Sequence, residues 1–310
     1  MKNFDPDFSS STFDEPTKAP SLHLNIFGPL SATLGTSKEK LELAQSGREL
    51  LGCLALHAYG TPLRRERLAE MLWPGIDPDL SRRRLRTGLW RLRKAMGSTH
   101  QNIITQNSEH IWLAFDTTAR PAAHEVFRCR VETHCQTPPV EMRLEAFDDL
   151  TTLLNTYSGP LMDGIDASWV QPDREQFADL YLRGLDCQLK WYRSNGQAED
   201  SICTAKQMLK LDPYREDVHA MLIGLYAAAG QPRRAIAQYH DCDGVLQDDL
   251  GIEATQARNA LHDALLKRQA LQSPTHKTPT ELEHVLVGLQ HSVRALSAQV
   301  DALRAALTDR

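Results

Sequence analysis

The run Asp77-Pro78-Asp79-Leu80-Ser81-Arg82-Arg83-Arg84-Leu85-Arg86-Thr87-Gly88-Leu89-Trp90-Arg91-Leu92-Arg93-Lys94-Ala95-Met96, stopped by Gly97, reads as one helix with two opposed faces. An aspartate cap followed by proline at the first helical position starts it. The carboxylate accepts from free amides of the first turn, and proline has no amide to lose there. With a turn of about 100° per residue, Leu85, Leu89, Leu92 and Met96 form a single apolar stripe that belongs in a core. Arg83, Thr87, Trp90 and Lys94 project away from it, with Arg84, Arg86 and Arg91 on the shoulders and Arg82 near the start. From 82 to 94, seven of thirteen residues are Arg or Lys and none is acidic.

The segments on either side make this the third helix of a winged helix-turn-helix. Leu22 to Leu34 alternates apolar and polar residues around a Gly-Pro break, and Lys40 to Ala44 alternates again, which predicts a small antiparallel sheet. Leu50, Leu51, Leu54, Ala55 and Ala58 have helical spacing and end at Tyr59-Gly60; Arg64 to Leu72 is a second helix, stopped by Trp73-Pro74-Gly75. Ile103 to Gln106 and Ile111 to Phe115 are β-prone and flank the polar Asn107-Ser108-Glu109-His110, so they form a hairpin. A cationic helix in that position can lie in a major groove, where arginines pair with guanine edges and flanking cations neutralise phosphate. The candidate DNA contacts are Arg82, Arg83, Arg84, Arg86, Thr87, Trp90, Arg91 and Lys94, with Asn107 and His110 in the wing. The alternative for such a charge run is a solvated face on a packing helix. Trp90 reads equally as a backbone contact or as a ring folded against the neighbouring helix.

Beyond Thr133 to Pro139, which has linker composition, the pattern is helical almost throughout. Gly196-Gln197 and Ile202 recur as Gly230-Gln231 and Ile236, a 34-residue offset that matches the period of tetratricopeptide hairpins. Asp212-Pro213 stops one helix and restarts another, and Tyr214, Leu222, Leu225 and Tyr226 read as core.

Leu72-Trp73-Pro74-Gly75-Ile76-Asp77-Pro78 and Leu85-Arg86-Thr87-Gly88-Leu89-Trp90-Arg91-Leu92-Arg93-Lys94 resemble the signature of the SARP family of bacterial transcriptional activators, whose first domain is an OmpR-type winged helix. Two positions depart from that pattern: Arg84 stands where asparagine is common, and His110-Ile111-Trp112 replaces a glycine-tyrosine in the wing. The following region is similar to the bacterial transcriptional activator domain of the same family. The matching motifs are Tyr157-Ser158-Gly159-Pro160-Leu161, Trp169-Val170, Arg174, Leu211 to Glu216 with His219, then Gly230, Ala235, Tyr239 and Leu250-Gly251-Ile252. The resemblance spans about residues 22 to 266. It implies an activator that binds double-stranded promoter DNA and contacts RNA polymerase, with dimerisation through the helical domain.

Leu282, Leu286, Leu289, Val293, Leu296, Val300, Leu303 and Leu307 alternate spacings of four and three, a heptad seam suited to a coiled-coil homodimer. Residues 21–120 carry 14 basic and 9 acidic residues, net +5, whereas 121–310 carry 19 and 27, net −8, so the first block is the one suited to a polyanion. Six dispersed cysteines (Cys53, Cys129, Cys135, Cys187, Cys203 and Cys242) read as reduced thiols of a cytoplasmic protein rather than as a disulfide framework or metal site. No stretch of eighteen apolar residues, phosphate-binding glycine loop or dinucleotide fingerprint occurs, so no membrane span, enzyme activity or cofactor is expected.

The expected fold is mainly α. It comprises a leader (1–20), a winged-helix domain (21–120), a linker (121–140), an all-α tetratricopeptide-like domain (141–271), a second linker (272–280) and a coiled-coil helix (281–310). The competing function is a tetratricopeptide-type adaptor without specific DNA binding.

Overall fold

The computed structural model describes residues 22–35, 39–114 and 123–249, together with 251, 262 and 266. The expected leader and the heptad helix lie outside the described residues. The chain divides into two compact units, Met1–Leu211 and Asp212–Arg310.

In the first unit, β1 (Leu22–Asn25) pairs antiparallel with β3 (Ser31–Leu34), and the two are joined by a bulging loop that carries the two-residue β2 (Gly28–Pro29). The two-residue β4 (Glu39–Lys40) completes the three-stranded sheet. α1 (Gln45–His57), β5 (Leu63–Arg64), α2 (Arg65–Leu72) and α3 (Pro78–Met96) follow. A 3-10 turn over Ser98–Ile103 leads to the hairpin β6 (Ile104–Gln106) and β7 (His110–Leu113), and β5 pairs with β7 at the hairpin's edge. This is the order the sequence predicts. Leu50, Leu54, Leu68, Leu85, Leu89, Leu92 and Ile111 fill the core among these elements, each at most 2% exposed. Burying side chains of this size stabilises the domain by roughly 1.5–3 kcal/mol each.

Residues 121–140 are not a free linker. α4 (Ala123–Gln136) occupies most of the segment and buries His124, Phe127 and Val131, spaced as one helical face. The Thr-Pro-Pro composition marks only its end, where Glu141 N bonds to Pro138 O at 2.9 Å. α5 (Leu144–Thr156), the short β8 (Leu161–Asp163), α6 (Gln171–Ser194) and α7 (Ala198–Leu211) complete the unit, with α6 packed against α4, α5 and α7.

The sheet region and these helices share one core. β2 pairs in parallel with β8: Gly28 N donates to Pro160 O at 3.0 Å, and Met162 N to Ile26 O at 2.7 Å. Ser158 Oγ donates to Phe27 O. Phe27 itself, 3% exposed, meets Phe127, Tyr157 and Phe177 with ring centroids at 4.8, 5.1 and 5.6 Å. Gly28 stands at φ 88° with the Ser158 side chain 3.0 Å from where a Cβ would lie, so this close approach demands glycine. The strap after Tyr157 is held by Arg174, whose guanidinium donates to Leu161 O at 3.0 Å, Met162 O at 3.1 Å and Ile165 O at 3.0 Å.

In the second unit, α8 (Glu216–Ala228) and α9 (Pro232–Gly244) form a helical hairpin, followed by a π-turn over Val245–Asp249. His219, 4% exposed, donates from Nε2 to Pro213 O at 3.0 Å and accepts at Nδ1 from Gln238 Nε2 at 2.8 Å, tying the Asp212-Pro213 turn to both helices. Leu222 and Tyr226 are core as expected, but Tyr214 is 45% exposed. Its amide bonds to Asp212 Oδ1 at 3.1 Å, which turns the chain and leaves the ring outside. The 34-residue offset has a structural cause. Gly196 (φ 71°) and Gly230 (φ 70°) make the same left-handed turn, and Gln197 N and Gln231 N bond to Tyr192 O and Tyr226 O, each at 2.9 Å.

Candidate nucleic-acid interface

α3 begins where the sequence places it. Asp77 Oδ1 accepts from Asp79 N at 3.0 Å and Leu80 N at 3.1 Å, with Pro78 at the first position. Its buried face is Ser81, Leu85, Leu89, Leu92 and Met96. At Gly88, a Cβ would lie 3.2 Å from Leu50 Cδ2, so the missing side chain lets α3 sit close on α1.

Every α3 residue proposed to meet DNA is exposed: Arg82, Arg83, Arg84, Arg86, Thr87, Trp90, Arg91 and Lys94. They are not equally free. Arg82 pairs with Asp79 at 2.9 Å, one turn back. Thr87 Oγ1 donates to Arg83 O at 3.0 Å, leaving its methyl group as the outward-facing apolar part. Trp90 is 60% exposed, so it does not fold into the neighbouring helix; Lys94 Nζ stands 5.2 Å from its ring centroid. The pair presents a flat ring backed by a cation, a platform that favours anionic or π partners. Arg93 is not among the solvent-facing cations: it donates to Ile104 O at 3.1 Å and braces the wing on the helix. Burial, then the neighbouring Arg65, lowers its pKa from the usual value.

In the wing, Asn107 Oδ1 accepts from Glu109 N at 2.9 Å and His110 N at 2.7 Å, closing the tip. The Asn107 carbonyl is therefore committed to the turn, and only its amide NH2 can face a ligand. His110 is half-buried on β7, opposite Arg64 on β5. Arg65 Nη1 donates to Gln106 Oε1 at 2.8 Å, bringing a cation to the wing base that reading the sequence did not attach to this site. The Arg64-Arg65 pair was visible in the sequence, but its pairing with a strand 41 residues later was not.

Among the described residues no cluster of His, Cys, Asp or Glu could hold a metal ion, and no helix is long and apolar enough to cross a membrane. Around the interface to the helices, burial holds His124 neutral, pushing its pKa to about 4, with Arg128 and then His57 adding to the effect. His57 is also lowered by burial, against the pull of Asp173, whose Oδ2 lies 3.7 Å from its Nε2.

Residues 125–266 match the bacterial transcriptional activator domain. The chain is 21% identical over 280 residues to the transcriptional regulatory protein MoaR1 of Mycobacterium tuberculosis, covering 86% of each protein. It is 25% identical over 128 residues to the transcriptional regulatory protein EmbR of the same organism, covering 41% of this chain and 33% of EmbR. The solved structure of M. tuberculosis EmbR in complex with a low-affinity phosphopeptide matches with a TM-score of 0.63 at 20% identity, covering 80% of this chain and 66% of that one. That likeness supports the fold: a winged helix-turn-helix followed by a helical domain.

Proposed function

We propose that this chain, which carries a bacterial transcriptional activator domain over residues 125–266, is a sequence-specific DNA-binding transcription regulator of the SARP type. The observation that carries the reading is α3: its apolar stripe is buried, while the opposite face offers Arg83, Arg84, Arg86, Thr87, Trp90 and Arg91 to solvent on a winged-helix frame. Arginines at this spacing fit guanine edges, and the flanking cations fit phosphates. The similarity to proteins named transcriptional regulators supports the same role. The helical domain is the surface for RNA polymerase or another protein partner, and the heptads from Leu282 to Leu307 pair two chains.

The test is selection of duplexes from a random library with the full chain, followed by titration at several salt concentrations. Affinity for the selected site should fall as salt rises, because each neutralised phosphate releases counterions. Arg83→Ala and Arg86→Ala should each weaken that site by about 1–3 kcal/mol, roughly 5- to 150-fold, with thermal stability unchanged because both side chains are exposed. If no duplex is enriched, the adaptor reading replaces this one. If both variants bind like the parent, α3 is not the reading helix.

A further inference from the structure

α4 and α6 pack along one another, and near the C-terminal end of α4 they bring two cysteines together from 52 residues apart. Cys187 is buried on α6, with its Sγ 4.0 Å from His134 O, beside Cys135. The Cys187 thiol donates to that carbonyl, which belongs to the peptide leading into Cys135, and the two cysteine side chains interact with one another. Cys135 is half-exposed, so small solutes reach it, whereas Cys187 is reached through its partner. Arg183, one turn before Cys187, adds positive charge near Cys135.

We propose that Cys135 and Cys187 are a peroxide-responsive dithiol that closes to an intramolecular disulfide joining α4 to α6. The neighbouring Cys187 side chain, and then Arg183, favour the Cys135 thiolate against burial and the carboxylates of Asp186 and Glu132, while Cys187 holds its proton. This assigns the order of events. The Cys135 thiolate attacks one oxygen of hydrogen peroxide; an S–O bond forms, the O–O bond breaks, and hydroxide leaves to become water. Cys187 then gives up its proton and attacks the Cys135 sulfur. An S–S bond forms, the S–O bond breaks, and the departing hydroxide takes that proton as a second water. Two thiols lose two electrons and one peroxide gains them. Of the remaining cysteines, Cys53 is buried and its thiol pushed up to about 12 by burial and then Asp173, Cys242 is buried, and Cys129 and Cys203 are exposed.

The experiment treats the full reduced chain with hydrogen peroxide at neutral pH, blocks the remaining thiols by alkylation, and maps peptides by mass without reduction. The expected product is a linked Cys135–Cys187 peptide pair lighter by about 2 Da, at a rate independent of protein concentration and reversed by dithiothreitol. Cys135→Ser should abolish the link. Cys187→Ser should instead raise the dimedone-trapped sulfenic acid at Cys135 at least severalfold. If Cys129 or Cys203 is oxidised while Cys135 and Cys187 are both recovered alkylated, the proposal is overturned. The same holds if Cys135 forms only links between chains.

Discussion

Replacing Phe27 with alanine tests whether the sheet region and the activator helices fold as one body. Phe27 is 3% exposed, and its ring is walled by Phe127, Tyr157 and Phe177. Removing a buried phenylalanine ring costs about 3–5 kcal/mol, the upper part of that range applying where the surroundings cannot collapse into the void. They cannot do so easily here. The backbone on both sides of the ring is pinned by the Ser158 hydroxyl on Phe27 O, the Gly28 N to Pro160 O bond and the Met162 N to Ile26 O bond. A loss of about 4 kcal/mol lowers Tm by about 8–16 °C in a unit of this size. The informative assay is native-state hydrogen exchange followed peptide by peptide. Protection should fall together in α1, α3 and β7 on one side and in α5 and α6 on the other, because the cavity opens a core they share. If only the winged-helix peptides lose protection while α5 and α6 keep theirs, the two regions have separate cores and the reasoning is refuted.

Arg174→Met should cost about 2–4 kcal/mol in urea unfolding, since it takes the guanidinium from the carbonyls of Leu161, Met162 and Ile165, of which Met162 O keeps the Ile165 amide at 3.0 Å; Arg174→Lys should recover only part, having no fork to reach all three. His124 makes stability depend on pH in a defined direction. Its folded pKa, about 4, lies below the unfolded value near 6.5, so the unfolded chain binds the proton first. Stability is full above pH of about 6.5 and declines by up to about 3 kcal/mol as pH falls to about 4. His124→Asn should flatten that slope in urea titrations at successive pH values, and an unchanged slope assigns it to other groups. Removing residues 279–310 should lower the number of chains per particle in sedimentation and weaken binding to a two-site operator while sparing a half-site, because linking two reading heads makes the second contact intramolecular. An unchanged number of chains per particle would mean that the heptads do not pair chains.

The sequence by itself determined the elements whose signals are local. Asp77-Pro78 capped α3, the spacing of Leu85, Leu89, Leu92 and Met96 set its buried face, and the outward cations followed by geometry. Gly196 and Gly230 announced two like turns because only a left-handed residue serves there. The motif Tyr157 to Leu161 was recognisable, but its purpose was not. It is the socket for Phe27 and Gly28, more than 130 residues earlier, and no periodicity encodes a pairing at that distance. For the same reason the α4 segment has the look of a linker in the sequence: its short apolar face is weak in isolation and becomes a core face only once Phe27 and Phe177 close over Phe127. Tertiary structure also separated Arg93, spent on Ile104 O, from the arginines left in solvent, and committed the Asn107 carbonyl to the wing tip. Composition places a charge on a helix, but which charges stay free depends on which carbonyls and carboxylates the rest of the fold brings within reach.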